Sequence, residues 1–230
     1  MHTADLCNKT MRQLLLATCI LASGICFGQQ TKKVTMQNEI PEYKEVFNVL
    51  LDSPDVRHGA YTRTFKGRHQ MLEKGQYTSG EKTGVWTFEG SNGGIEQEID
   101  FSSKKIISAK PFKTMVRSSI IIGDSLVENT SENLPLFLGG QSRLSQIFVK
   151  YMRYPATARR YGVDGIVYVS ATVTKDGKLI DERVEKGIGS GLDEESVRII
   201  QMLPDEWLPV GWGDEPRDCK VVLQVKYKLN

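Results

Sequence analysis

From Leu144 to the end of the chain the apolar positions fall into regular patterns. Leu144, Ile147, Phe148 and Tyr151 recur at three- and four-residue intervals, the spacing of one helix face. Pro155 interrupts that run by removing an amide donor and holding Tyr154 extended. "ATARRYG" then starts a second, shorter helix that Gly162 stops. In "IVYVSATVT", Val167, Val169, Ala171 and Val173 alternate with Tyr168, Ser170 and Thr172, which predicts a half-buried strand. "KDGK" at 175–178 reads as a hairpin turn, with Asp176-Gly177 supplying positive φ angles. The return strand, Leu179 to Glu185, alternates poorly enough to fit a bulge. Ser190 and Asp193 have capping-box spacing ahead of a helix face made by Leu192, Ser196, Ile199, Ile200 and Leu203, and Pro204 ends it. The last segment is the cleanest: Cys219, Val221, Leu223, Val225, Tyr227 and Leu229 on one face, Lys220, Val222, Gln224, Lys226 and Lys228 on the other. This order predicts an α+β domain over 144–230, a small antiparallel sheet with two helices packed on one face. Such a sheet has edges, and an edge offers unpaired amides and carbonyls to another chain.

Upstream the texture changes. Residues 58–124 carry aromatic and β-branched residues in short bursts between glycines and show no helical period, so an all-β hairpin module precedes the α+β domain. Residues 29–57 read as a lead-in with one short strand near "YKEVFNVLL", and 125–143, with Pro135 and Gly139-Gly140, as a linker. The rhythm Gly75-x-Tyr77-x-x-Gly80-x-x-x-Gly84-x-Trp86-x-Phe88 resembles MORN-like repeats over about 59–107. One or two such units imply a small accessory module whose aromatic residues form the packed face of a sheet.

The first residues follow different rules. "LLLATCILASGICFG", Leu14 to Gly28, has no charge and is short for a membrane span, so residues 1–28 are expected to be a secretory signal peptide cut near Gly28 or Gln29. A lipid anchor on Cys19 or Cys26, or an uncleaved inner-membrane anchor, are the alternatives. Export would remove Cys7, Cys19 and Cys26 and leave Cys219 alone, on the apolar face of the last strand, without an internal disulfide. The formal net charge of +2 gives no reason to invoke nucleic acid.

Catalytic chemistry finds little support. His58 and His69 lie in the hairpin region without a cysteine at ligand spacing, and Ser170 and Ser190 have no elbow or base arrangement. The acidic pairs Asp181-Glu182 and Glu194-Glu195 fall on a strand and in the first turn of a helix, where acids favour the dipole. The expectation is a protein that is not an enzyme and takes no cofactor or metal.

The ordered set Tyr154-Pro155, Ala158, Gly162, Gly165, Asp176-Gly177, Leu192-Asp193, Trp207-x-Pro209 and the closing "VVLQVKYKL", after "FLGG", resembles the TonB C-terminal domain family over about 136–230. The added upstream module is similar to the stand-alone, Bacteroidetes-type members. That resemblance implies a periplasmic domain that grips an outer-membrane β-barrel transporter or another envelope protein by pairing a partner peptide with a sheet edge. Energy transduction would also need an inner-membrane helix and a long proline-rich linker, and before the boundary only Pro41, Pro54 and Pro111 are spread along the chain. Carried over by position, the partner-binding residues are Val221, Val222, Gln224, Lys226, Tyr227 and Lys228, with the corner Tyr154 to Gly165 beside them. Edge pairing is also compatible with a homodimer. The alternative is a cell-envelope structural protein that binds no receptor peptide.

Overall fold

The computed structural model describes residues 29–39, 42–65, 70–123, 125–128 and 134–229. The expected signal peptide and His69 lie outside the described residues. The body of the fold is the compact unit Thr31–Asn230.

Seven strands follow one another as an antiparallel meander: β1 (Thr31–Glu39), β2 (Glu42–Leu50), β3 (Ser53–Phe65), β4 (Gln70–Thr78), β5 (Glu81–Glu89), β6 (Ile95–Asp100) and β7 (Lys105–Ala109). Residues 29–57, expected as a lead-in with one strand, instead supply β1, β2 and the start of β3. The reason is visible in the register: Val34 pairs with Phe47 and Phe47 with Tyr61, so both early strands extend the face that carries the aromatics. On that face Phe47, Tyr61, Trp86, Phe88 and Ile99 are buried, and Tyr77 meets Trp86 edge-on at 5.1 Å between ring centroids. Gly75 makes room for Trp86, since a Cβ there would overlap the indole ring.

The second sheet belongs to the C-terminal domain. Its helices are α1 (Gly140–Tyr151), α2 (Ala156–Tyr161) and α3 (Leu192–Gln201). Its strands are β8 (Met115–Ile122), β9 (Ser125–Glu128), β11 (Gly165–Val173), β12 (Leu179–Lys186) and β14 (Cys219–Tyr227), in the spatial order β12-β11-β14-β8-β9. Val167, Val169, Ala171, Val173, Val221 and Leu223 all point to the helix side and are buried at 0–1% exposure. The architecture is therefore α+β, as the periodicities imply.

Local differences have physical causes. The segment 115–128, divided in the sequence reading between hairpin module and linker, pairs with the C-terminal sheet instead, through β8 and β9. Helix α1 starts at Gly140, before the expected boundary at 144, because Gly139 and Gly140 both take left-handed φ values, 88° and 61°, and turn the chain into it. In the 175–178 turn only Gly177, at φ 78°, is left-handed, and Asp176 is not. A side chain at Gly177 would also overlap the Trp207 carbonyl. No capping box forms at α3: its N-cap is Gly191, Ser190 is itself left-handed at φ 60°, and Asp193 accepts from the Ile188 and Gly189 amides. The bulge expected in β12 is present as register shifts against β11, with Asp181 at φ 58°.

A short ribbon joins the two halves. β10 (Leu136–Phe137) pairs with β13 (Trp207–Leu208), and side chains alternate across it. Leu136 and Leu208 enter the core under the seven-stranded sheet, whereas Phe137 and Trp207 enter the core under the helices.

Candidate partner-binding edge

Strand β14 is built as an inner strand. Along its whole length it pairs with β11, from Val173↔Cys219 to Gly165↔Tyr227. Its other side is covered by β8 from Cys219↔Ile120 to Leu223↔Met115, and the Gln224 amide donates to the Thr114 carbonyl at 2.8 Å. Past Gln224 the β8 pairing has ended, so Val225 to Tyr227 have β11 on one side only among the described strands.

The six residues expected to meet a partner therefore fall into three groups. Val221 and Tyr227 are in the core, at 0% and 2% exposure. Val222 lies on the opposite sheet face yet is only 4% exposed, and Gln224 is committed, its Nε2 donating to the Lys113 carbonyl at 2.8 Å. Lys226 and Lys228 are exposed, near the uncovered end of the edge. The occupant is "MVRSSIII", a segment with no local signal for which strand it joins.

The corner Tyr154 to Gly165 packs directly on this end. Tyr154 donates its hydroxyl to the Val163 carbonyl at 2.6 Å and meets Tyr227 edge-on, ring centroids 5.7 Å apart. The Ser196 hydroxyl donates to the Leu192 carbonyl, so the Tyr227 hydroxyl, 3.0 Å away, donates to Ser196. Burial pushes Tyr227 up to about 12, which keeps that donor protonated. Glu195 ties the corner to α3. It accepts from the Arg153 amide at 2.6 Å and pairs with Arg198, whose Nη2 also reaches the Tyr151 carbonyl at 2.6 Å. Burial opposes the Glu195 charge, but the hydrogen bonds from Arg198 and Arg153 outweigh it and hold the carboxyl below its ordinary range. Trp207 is buried in the helix-side core, and the partly buried Trp212 packs edge-on against Phe101 at 5.4 Å.

Other chemistry is sparse. His58 Nδ1 accepts from the Ser79 amide at 3.2 Å, and among the described residues no group of three or more His, Cys, Asp or Glu side chains is placed to hold a metal ion. Cys219 is buried, and burial raises its thiol to about 11, which makes it a small core residue rather than a nucleophile.

The arrangement is an α+β domain with helices on one face of a five-stranded antiparallel sheet whose inner strand, β14, is flanked by β11 and β8. Residues 150–229 match the family model of the Gram-negative bacterial TonB protein C-terminal, so this stretch is a TonB C-terminal domain. The match takes in β11, β12, β14 and the last two helices; β8, β9 and nearly all of α1 precede it. No curated protein and no solved structure matches the chain.

Proposed function

We propose that the chain is an exported binding or adaptor protein of the cell envelope, one that adds an extended segment of an outer-membrane transporter, or of another envelope protein, to the edge of its TonB C-terminal sheet. The observation that carries this reading is that the side of β14 facing away from β11 accepts a strand from outside the matched domain, namely β8. Main-chain pairing supplies affinity in such additions, and alternate side chains supply selectivity. The exposed cations Lys226 and Lys228, beyond the reach of β8, would meet acidic groups flanking the partner segment. The seven-stranded sheet acts here as a rigid MORN-like accessory that fixes the domain's ribbon and first helix. Export through residues 1–28 belongs to the same proposal. Among the described residues no helix is long and apolar enough to cross a membrane.

The test is capture from detergent-solubilised outer membranes of the host by residues 30–230. Recovery of a β-barrel transporter, weakened about tenfold by Lys226→Glu with Lys228→Glu in a protein of unchanged circular dichroism, supports the reading. A folded protein that recovers no barrel or other envelope partner would sink it and leave the structural alternative.

A further inference from the structure

The two neighbours of β14 are unequal. β11 sends Val167, Val169, Ala171 and Val173 into the core, each essentially fully buried. β8 sends only partly buried Met115 and Ile120, with a buried serine, Ser118, between them against Val221. Strand β9 beyond it buries nothing: Leu126 and Val127 are 56% and 47% exposed, and Ile122 at the end of β8 is 50% exposed.

The attachment of β8 is also lopsided. Its start is anchored by Phe112 against Phe137 and Trp207, and by Thr114, whose amide and hydroxyl both donate to Gln141 Oε1. The register then shifts between Val222 and Leu223. From Arg117 onward the strand is held by ladder hydrogen bonds, by the Ile121 amide on the Asp218 carbonyl, and by one ion pair that crosses the outer sheet face from Arg117 to Glu185 of β12. The side chains of that pair are 53% and 35% exposed, so water and salt weaken it.

We propose that the Arg117–Glu128 hairpin is a displaceable stand-in, and that the edge it fills takes a partner strand of the same pattern: a cation where Arg117 lies, a small residue at Ser118 and an apolar one at Ile120. This rests on the reading of β14 as the partner-accepting edge and adds its regulation. The protein then binds only in the fraction of molecules whose hairpin has lifted, and its apparent affinity is reduced by that fraction. Glu185 is the latch, because it attracts the cation of whichever strand is seated. Lifting from Arg117 onward frees the ladder groups of Cys219 to Val222 while the Phe112–Met115 anchor stays in place.

A reversible lock tests this on residues 30–230. Ser119 and Lys220 are directly paired across the ladder on the outer face, and such pairs have Cα atoms about 4.5–5.5 Å apart, inside the range a disulfide spans. Ser119→Cys with Lys220→Cys closes the hairpin when oxidised and releases it when reduced; buried Cys219 stays out of the exchange. The probe is a fluorescein-labelled peptide of residues 115–122, with a scrambled peptide as control. The expected result is binding to the reduced protein, about tenfold or more weaker in the oxidised one. Hydrogen exchange at Ser118–Ile122 should be faster than at Val167–Val173 in the reduced protein only.

Equal peptide binding in both states, no binding in either, or exchange of the hairpin only with the whole sheet would overturn the stand-in. Envelope capture, measured on the same pair of states, separates this from the adaptor reading. Barrel capture indifferent to the lock, with no peptide binding, overturns the stand-in and keeps the adaptor on another surface. Peptide binding gated by the lock with no envelope protein captured overturns the adaptor reading instead. A dimer that forms on reduction and vanishes on oxidation would seat a second copy's hairpin there and overturn the assignment to a separate partner.

Discussion

Gly75 shows how one residue sets the packing of a whole face. Its backbone needs no unusual conformation; what it supplies is the missing Cβ beneath the Trp86 indole, which then packs against Tyr61 and Tyr77 at 5.3 and 5.1 Å between centroids. The indole nitrogen also donates to the Gln76 carbonyl at 3.1 Å, so the ring is held at both ends and has no room to retreat. Gly75→Ala is therefore expected to cost about 1–3 kcal/mol, the usual penalty of overfilling a tight core. Urea unfolding followed by tryptophan fluorescence reads it out, and Trp86→Phe in the same chain should recover part of the loss. A neutral Gly75→Ala, or no recovery, would show that the sheet relaxes around the new methyl. The glycine-aromatic spacing was legible in the sequence as a hairpin signal, and the burial of Trp86 agrees with it. The aromatic residues' partners were not legible, because Tyr61 and Trp86 meet across β4 only when the register is known.

Among the elements, those whose hydrophobic period runs uninterrupted were legible and those that depend on a distant partner were not. Helices α1 and α3 and strands β11 and β14 stand where the three-to-four and alternating patterns put them. β8 lacks that alternation, with Arg117, Ser118 and Ser119 in a row before three isoleucines, and its contacts are remote: Val221 pairs with Ser118 and Leu223 with Met115. Nothing local encodes that pairing, and so the last strand was expected at an edge whereas the structure makes it an inner one. β6 gives a subtler case. Gln97 occupies a core slot of the alternation beside Ile99 and is 1% exposed, a polar residue in an apolar position that announces a partner without naming it. The partner is the turn after β10: Gln97 Nε2 donates to the Phe137 carbonyl at 2.8 Å and its Oε1 accepts from the Gly139 amide at 2.9 Å. Gln97→Leu leaves both backbone groups buried and unpaired, a loss of about 2 kcal/mol or more. Gln97→Glu keeps the acceptor but loses the donor and should be no better. Denaturant midpoints of the two variants check this, and a stability within error of the parent for Gln97→Leu would mean that water replaces the amide.

At the scale of the molecule, the question is whether the hairpin sheet and the TonB C-terminal domain behave as one body. The β10–β13 ribbon puts alternate side chains into both cores, and Glu206, just before β13, adds a charge clamp: it takes both Nη atoms of Arg143 on α1, at 2.7 and 3.2 Å, and lies 3.8 Å from Lys82 on β5. Burial opposes the Glu206 carboxylate, but Arg143 and then Lys82 outweigh it and bring its pKa down to about 2. A carboxyl whose folded pKa lies below its ordinary 4.5 contributes stability that is fully present above that value and is lost as pH falls from 4.5 toward about 2. Two consequences are expected together. The chain should unfold in one transition, with the tryptophan signal, drawn from Trp86 and Trp212 under the hairpin sheet and Trp207 under the helices, coincident with the loss of secondary structure. Glu206→Gln should lower the denaturation midpoint of both probes at pH 7, by an amount that shrinks through the acid window and vanishes near pH 2. If the variant lowers only the fluorescence midpoint, or if two transitions separate in the parent, the ribbon does not couple the cores. The hairpin sheet would then be a passenger on the TonB C-terminal domain rather than the frame that holds its ribbon and first helix.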